Sequence, residues 1–257
     1  MNAFNYELEI AKEIAREAGK ILLLRANDSF NIGFKEDKSV VSQVDKEVSE
    51  FITASLIKSF PKYGILDEEN PFDLRKKHRL CWVVDPLDGT IEYVNKREVY
   101  GVMIGLMKDF MPILGVVYKP VVDEMVYAVK GQGAFLDKSG LKRRINVSDS
   151  DKLVLLISKN RRNSELNKII TNLNPTEVIE MPSSFKITEV AKGNATRFIC
   201  SPSTTMNLWD LCSQQIILEE AGGTMSDYYG NKINYSGDLV NRLGIIASNK
   251  NSLRKGI

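Results

Sequence analysis

Two stretches near the start of the chain repeat apolar residues at the three- and four-residue spacing of an amphipathic helix. They span residues 8–21 and about 44–60, and Pro61 ends the second. Charged side chains run through the first stretch, a pattern that favours a surface helix over a signal peptide or a membrane span. The polar residues 31–39 between the two stretches predict a loop.

Short apolar runs bounded by turn residues predict β-strands in the rest of the chain. In the first half, two strands run into acidic residues and an antiparallel meander follows. The predicted strands there are 64–66, 81–84, 99–107, 112–118, 124–129 and one near 133–136. Past residue 150, strands and helices alternate, which indicates an α/β arrangement. The expected elements there are strand 153–158, helix 164–173, strand 178–181, helix 183–192, strand 196–200 and a buried helix 214–221.

The composition is that of an ordinary globular protein, with 257 residues of which 43% are hydrophobic and 26% charged. No repeat or flexible linker interrupts it, so we expect one compact unit over 1–257, divisible into an α+β half (1–150) and an α/β half (151–257). The formal net charge of +2 gives no support for a nucleic-acid or anionic-membrane partner. The one dense basic run, 75–79 (RKKHR), is predicted to be a solvated loop.

The chain contains three cysteines, Cys81, Cys200 and Cys212. Their spacing fits neither a disulfide framework nor a CxxC metal or redox motif. We expect them to be buried, apolar thiols in a reducing compartment, and the protein to be cytoplasmic.

In the segment 82–90 (WVVDPLDGT), an apolar run ends in two acids on either side of a proline. Pro86 fixes its own φ and favours extended geometry in the residue before it. Asp85 and Asp88 can then face one space, with the Leu87 carbonyl between them as a third oxygen. Hard cations such as Mg²⁺ prefer oxygen ligands of this kind. The alternative is a type I turn whose acids serve only as turn formers and helix caps.

Further acids occupy positions that allow two interpretations. Residues 67–69 (DEE) follow an apolar strand, where three adjacent carboxylates repel one another unless a cation or solvent relieves them. Asp45 falls in the first turn of a predicted helix, and Asp210 stands where a helix N-cap belongs. Each acid alone is typical of a helix terminus or a solvated charge run, and only their combination with 82–90 favours a metal site.

Two segments together resemble the paired signatures of the inositol monophosphatase superfamily. They are 82–90 (WVVDPLDGT) and 209–223 (WDLCSQQIILEEAGG). The resemblance extends over nearly the whole chain. It implies an α/β (α+β) layered αβαβα sandwich, the sugar-phosphatase fold, and a Mg²⁺-dependent, typically lithium-sensitive phosphoric monoester hydrolase whose metal-binding half is 1–150.

The resemblance also implies a role for individual positions. The implied metal ligands, which would hold two or three Mg²⁺ ions, are Glu68, Asp85, the Leu87 carbonyl, Asp88 and Asp210. Asp45 and Thr90 would orient the attacking water and help to deprotonate it, with Glu68 on the ion that activates that water. The Gly89 and Thr90 amides would donate to the phosphate, and water would attack phosphorus directly, without a phospho-enzyme. The implied substrate-binding positions are Asp88, Gly89, Thr90, Lys186 and Asp210.

Within the superfamily, three segments are most similar to the CysQ-like 3′(2′),5′-bisphosphate nucleotidases. They are 35–45 (KEDKSVVSQVD), 92–93 (EY) and 183–186 (SSFK). Lys186 is the candidate ligand of a substrate phosphate, and its alternative is a lysine exposed on a helix surface.

The chain also departs from the nucleotidase pattern. Val40, Ser42 and Pro182 replace a proline, a threonine and a glycine. The segment 201–207 (SPSTTMN) lacks the nucleotidase R-F-G-P-T, and Ser203 stands where inositol phosphatases use a glutamate on a sugar hydroxyl. These positions shape the leaving-group pocket, so they bear on the substrate and not on the chemistry.

The leading hypothesis is a nucleotidase acting on 3′-phosphoadenosine 5′-phosphate, a small phosphorylated substrate, as a monomer or homodimer. The enzymatic alternative is an inositol-1-monophosphatase or a fructose-1,6-bisphosphatase-type sugar phosphatase. A catalytically silent relative that regulates by binding metal or phosphate is the alternative from another class. That alternative predicts a missing ligand, whereas every acid of the implied set and Thr90 are present.

Overall fold

Six α-helices are present in the described part of the chain. The computed structural model describes residues 3–26, 32–34, 40–70, 73–182 and 184–250, with residues 32–34, 40–42 and 160 described by their backbone alone. The helices are α1 (Asn5–Arg25), α2 (Gln43–Ser59), α3 (Thr90–Val94), α4 (Ser164–Leu173), α5 (Lys186–Ala191) and α6 (Leu208–Glu220). None of these helices is long and apolar enough to cross a membrane.

The strands of the described residues belong to a central sheet, a second sheet and two short pairs. The central sheet contains β3 (Gly64–Asp67), β4 (Leu80–Asp88), β5 (Gly101–Lys108), β6 (Met111–Lys119), β7 (Glu124–Val129), β8 (Gly133–Lys138) and β9 (Leu141–Ile145). The second sheet contains β10 (Val154–Ser158), β11 (Glu177–Met181), β12 (Arg197–Cys200), β14 (Thr224–Ser226) and β16 (Ile245–Ser248). The short pairs are β1 (Ile32–Phe34) with β2 (Val40–Ser42) and β13 (Met206–Asn207) with β15 (Val240–Asn241).

The central sheet follows chain order from β3 to β9. β3 and β4 are parallel, and every later pair is antiparallel, so the predicted meander is confirmed. The second sheet has the order β11-β10-β12-β16-β14, in which the first three strands are parallel. β16 then pairs antiparallel with both β12 and β14.

Alternate residues of the central strands face two different helical layers. Trp82 and Val84 lie in an apolar cluster with α1 and α2, whereas Val83 and Met103 lie in a second cluster with α5 and α6. Both faces of the central sheet are therefore buried. This explains why β4 is a continuous run of apolar residues and not an alternation of apolar and polar residues.

The second sheet completes the layering. Leu155 and Ile157 pack with Leu166 of α4, while Leu156 between them joins the cluster around α6. The order of layers is thus α1 and α2, the central sheet, α5 and α6, the second sheet, and α4. The predicted αβαβα sandwich is confirmed, and the division of the chain near residue 150 stays a prediction.

Glycines let α6 approach the central sheet closely. A Cβ at Gly105 would lie 2.7 Å from Cys212 Sγ, and one at Gly115 would overlap the Ser213 carbonyl. The backbone of α6 therefore rests directly on β5 and β6, which holds the first turn of that helix in place beside the end of β4.

Three local predictions were wrong in detail. The predicted helix 183–192 is shorter, because α5 runs only from Lys186 to Ala191, and Ser183 lies outside the described residues. β4 continues through Pro86 to Asp88, with an irregular register against β5 between residues 85 and 88. The predicted loop 31–39 includes β1, paired with β2, while residues 35–39 of the nucleotidase-like segment lie outside the described residues.

Buried cysteines were predicted correctly, and the solvated loop predicted for the basic run is correct except at Arg75. Cys81, Cys200 and Cys212 are all buried and free. Arg75 of the basic run is 3% exposed and donates to the carboxylate of Asp73 and to the Tyr235 carbonyl, so it is a structural anchor and not a solvated loop residue.

Candidate metal and phosphate site

A cavity of about 530 Å³ opens where β3, β4, α3 and α6 meet, within the range typical of small-ligand sites. Most of the predicted site residues line it: Glu68, Asp85, Leu87, Asp88, Gly89, Thr90 and Asp210. Asp45 reaches the site through a hydrogen bond to Thr90. Lys186 is not among the lining residues.

The irregular end of β4 supplies two carboxylates and a carbonyl. Asp85 accepts a hydrogen bond from the Leu87 amide at 3.1 Å through its Oδ1 atom. The Asp88 Oδ2 atom accepts from the Ser184 amide at 3.0 Å, which connects this strand to the segment before α5. Both carboxylates are buried, and the contact of Asp85 with the Leu87 amide is that of a turn former, as the alternative interpretation expects.

Asp210 enters the site from the first turn of α6. The N-cap of this helix is Asn207, and Asp210 is its third residue, whose Oδ2 accepts from the Asn207 amide at 3.0 Å. The sequence predicted Asp210 as the N-cap, but the N-cap is three residues earlier, because the helix begins before the residues that the apolar pattern indicates. This capping box fixes the direction of the carboxylate.

Asp85, Asp88 and Asp210 each present a carboxylate oxygen within 4.8 Å of the others. Burial raises the pKa of Asp88, and burial together with the Asp88 carboxylate raises the pKa of Asp210 to about 6. Buried like charges this close are unfavourable unless a cation lies between them. No histidine or cysteine is among the described lining residues, and an all-oxygen donor set fits a hard divalent ion such as Mg²⁺.

Glu68 lies at the edge of the same cavity. Its amide donates to the Val84 carbonyl, which holds it beside β4, and its side chain is half-buried. The carboxylates that converge within 4.8 Å in the described residues do not include it. Of the neighbouring acids, Asp67 is buried and accepts from the Ser49 hydroxyl, so this part of the acidic triplet is structural.

Thr90 and Asp45 form a hydrogen-bonded pair at one wall of the cavity. The Thr90 hydroxyl lies 3.0 Å from Asp45 Oδ1 and 3.1 Å from the Leu87 carbonyl oxygen, and it can donate to either. Asp45 is 2% exposed in the first turn of α2. The structure thus brings together two residues that are 45 positions apart in the sequence.

Gly89 joins β4 to α3 in a conformation that favours glycine. Its φ is +88°, and an added Cβ would lie 2.6 Å from the Val99 carbonyl oxygen. Gly89 and Thr90 line the cavity, and because the first amides of a helix have no partner inside it, their N–H groups are candidate donors to a ligand there.

Lys186 is buried, so the alternative of an exposed helix-surface lysine was wrong. Burial lowers the pKa of its ammonium group to about 8, and the Asp88 carboxylate opposes that effect. The ammonium also lies 5.5 Å from the centre of the Phe198 ring.

Sequence reasoning missed two side chains that line the cavity, Arg161 and Arg242. Three other lining residues, Ser184, Thr205 and Trp209, lie in segments that the sequence had singled out, although no individual role was predicted for them. A signal existed for Arg161, which follows β10 as the acids follow β3 and β4. Arg242 follows the two-residue strand β15, and the sequence carries no comparable signal for it.

Residues 5–257 match the Inositol monophosphatase family, and the chain therefore belongs to it. It is 30% identical over 251 residues to a protein of Buchnera aphidicola named 3′(2′),5′-bisphosphate nucleotidase CysQ, covering 96% of this chain and 93% of that one. The resemblance inferred from the sequence motifs is thereby confirmed. Its named relatives are phosphoric monoester hydrolases, which is the predicted enzyme class.

Solved structures agree with the fold. A CysQ from Bacteroides thetaiotaomicron is similar with a TM-score of 0.82 and 26% identity, covering 96% of this chain and 99% of that one. The extragenic suppressor protein suhB from Bartonella henselae gives a TM-score of 0.84 at 24% identity, covering 98% and 100%.

Proposed function

We propose that this member of the inositol monophosphatase family is a Mg²⁺-dependent 3′(2′),5′-bisphosphate nucleotidase that hydrolyses 3′-phosphoadenosine 5′-phosphate by direct attack of water. The observation that carries the metal-dependent chemistry is the convergence of three buried carboxylates, from Asp85, Asp88 and Asp210, beside the Asp45–Thr90 pair. The substrate rests on relatives of similar sequence that are named 3′(2′),5′-bisphosphate nucleotidase CysQ.

The metal-binding oxygens in this proposal are the three carboxylates, the Leu87 carbonyl and the Glu68 carboxylate. When bound there, two or three Mg²⁺ ions lower the pKa of a water molecule and neutralise charge on the phosphate. Glu68 also lines the cavity, and its carboxylate adds a further oxygen ligand to the three converging carboxylates.

The Asp45–Thr90 pair activates the nucleophile. The Thr90 hydroxyl donates to the buried Asp45 carboxylate, which leaves a lone pair of its oxygen to accept from water. As the water oxygen bonds to phosphorus, its proton passes to Thr90 while the Thr90 proton passes to Asp45. The ester P–O bond breaks, and the leaving alcohol oxygen takes a proton from solvent.

The phosphate is held by backbone amides. Gly89 and Thr90 line the cavity at the start of α3, and in this proposal their N–H groups donate to phosphate oxygens. Asp88 and Asp210 contact the substrate on its other side, and Lys186 contributes positive charge near Asp88. A thiolate nucleophile is disfavoured because burial raises the pKa of Cys81 to about 12 and of Cys200 to about 11.

Phosphate release with Mg²⁺ tests the proposal. At matched concentrations, 3′-phosphoadenosine 5′-phosphate should be hydrolysed at least about tenfold more efficiently than inositol 1-phosphate or fructose 1,6-bisphosphate. Preference for either of the latter would move the protein to the inositol or sugar phosphatases, with the same metal site. Inactivity on all three in protein shown to bind Mg²⁺ would favour a silent regulatory relative.

A further inference from the structure

Two arginines line the same cavity as the acidic cluster. Arg161 follows β10, and Arg242 follows β15, so they enter from two different segments of the second half of the chain. Both side chains are exposed at the cavity rim. The cavity thus combines the carboxylates of Asp88 and Asp210 with two guanidinium groups, and Arg161 is near enough to both acids to act against the rise in their pKa.

Arg161 is held in place by a loop that other residues anchor. Its Nη1 atom donates to the Thr205 carbonyl at 2.6 Å. That loop is fixed to α4, because the Ser203 hydroxyl donates to Glu165 Oε2 at 2.6 Å and Asn163 Nδ2 donates to Ser203. One edge of the guanidinium is therefore used for positioning, and its remaining N–H groups are available at the rim.

Arg242 has no such anchor. Among residues 3–26, 40–70, 73–182 and 184–250, nothing accepts a hydrogen bond from its side chain or forms an ion pair with it. The neighbouring Asn241 amide group donates to the Gly244 carbonyl at 2.8 Å and so holds the turn that presents Arg242. Arg242 also lines an adjoining cavity of about 210 Å³, which places its guanidinium between two concave surfaces.

We propose that Arg161 and Arg242 bind a second anionic group of the substrate, and that this pair makes the enzyme select a bisphosphate over a monophosphate. The inference rests on the proposed function, since the scissile phosphate must bind at the acidic cluster. A phosphate bound there with its cations leaves the guanidinium groups free to face a second phosphate across the sugar. Arginine suits this task because its planar fork matches two phosphate oxygens.

The test compares two substrates that differ only in the second anion: 3′-phosphoadenosine 5′-phosphate and adenosine 3′-phosphate. For Arg242→Ala, the ratio of kcat/KM for the bisphosphate to that for the monophosphate should fall about tenfold, mainly through KM. For the double variant with Arg161→Ala it should fall about a hundredfold. Arg143→Ala, an exposed arginine on β9 outside this cavity, is the matched control and should leave the ratio unchanged.

A binding measurement gives an independent readout. Adenosine 5′-phosphate carries only the second anion, and by calorimetry its Kd should rise about tenfold in Arg242→Ala. Activity of the wild type on the bisphosphate together with an unchanged substrate ratio in both variants would overturn the arginine pair and leave the nucleotidase standing. A wild type inactive on both nucleotides, yet active on inositol 1-phosphate, would overturn the proposed function instead.

Discussion

Two groups of buried carboxylates in this protein are held in opposite ways. Asp85, Asp88 and Asp210 converge within 4.8 Å at the cavity. Glu124 of β7 and Glu189 of α5 lie among lysines: Lys192 Nζ is 2.6 Å from Glu124 and 2.8 Å from Glu189, and Lys119 is 2.8 Å from Glu189. In the first group three carboxylates face one another, whereas each carboxylate of the second group forms ion pairs with ammonium groups of the chain.

The pKa values of the two groups of carboxylates shift in opposite directions. Burial raises the pKa of Asp210 to about 6, with the Asp88 carboxylate adding to the effect. Burial also acts to raise the pKa of Glu189, but Lys119 and Lys192 outweigh it and lower that pKa to about 2. Burial alone therefore does not distinguish a functional carboxylate from a structural one; the identity of its neighbours does.

The strongest test of this contrast is Asp88→Asn. Because it removes a ligand at the centre of the acidic cluster, phosphate release with Mg²⁺ should fall at least about a thousandfold, or about 4 kcal/mol in activation free energy. Asp210→Asn should behave alike. Without Mg²⁺, Asp210→Asn should unfold no more easily than wild type, because it removes like-charge repulsion with Asp88.

Thermal unfolding with and without Mg²⁺ separates loss of binding from loss of fold. Wild type should gain stability on saturation with the ion, about 2.7 kcal/mol at a hundred times Kd, and Asp88→Asn should not. Turnover within tenfold of wild type in the purified variant would contradict the site assignment.

Glu189→Gln should have the opposite effect, lowering stability while leaving activity nearly unchanged. It leaves the ammonium groups of Lys119 and Lys192, whose side chains are 18% and 8% exposed, with one fewer partner, and the free energy of unfolding should fall by about 3 kcal/mol. Urea unfolding measures this, and kcat of the folded protein should stay within twofold. Glu180→Gln, which breaks an exposed ion pair with Arg162, is the control and should cost under about 1 kcal/mol. Equal losses of unfolding free energy in the two variants would show that the buried ion pairs of Glu189 stabilise the fold no more than an exposed ion pair does.

Thr90→Ala tests the polar pair beside the acidic cluster. Loss of the hydroxyl between water and Asp45 should lower kcat about a hundredfold while KM changes less than threefold. Steady-state kinetics provides both values, and Thr90→Ser should restore most of the rate because it keeps the hydroxyl. A normal kcat in Thr90→Ala would remove this residue from the mechanism.

The smallest effect concerns acid stability. Since the pKa of Glu189 is lowered in the folded state from its ordinary 4.5 to about 2, its contribution is fully present above pH 4.5 and is lost as the pH falls towards 2. The stability difference between wild type and Glu189→Gln should be constant from pH 7 to 5 and should then narrow by about 1 kcal/mol per pH unit. If the stability difference between wild type and Glu189→Gln stays constant down to pH 3, the low pKa of Glu189 is contradicted.

Much of the fold could be predicted because local patterns matched the final elements. Helix α4 and strand β7 fall at the predicted residues, and α1, α2 and the meander lie within a few residues of expectation. The prediction of α5 was too long, and β9, β14 and β16 were not predicted. β9 is a mostly exposed edge strand with three basic residues, so its alternation is weak, and the three-residue β14 is too short to leave a pattern.

The sequence by itself determined the layered class, the cluster of oxygen-bearing groups at the end of β4 and the family, because the signature residues lie close together in the chain. Only the tertiary structure decided that Asp210 is the third residue of α6, that Thr90 meets Asp45, that Lys186 is buried and that Arg161 and Arg242 share the cavity. These facts depend on how closely α6 packs on the central sheet and on where loops of the second sheet return. Such distances are set by long-range packing, which no local pattern of residues contains.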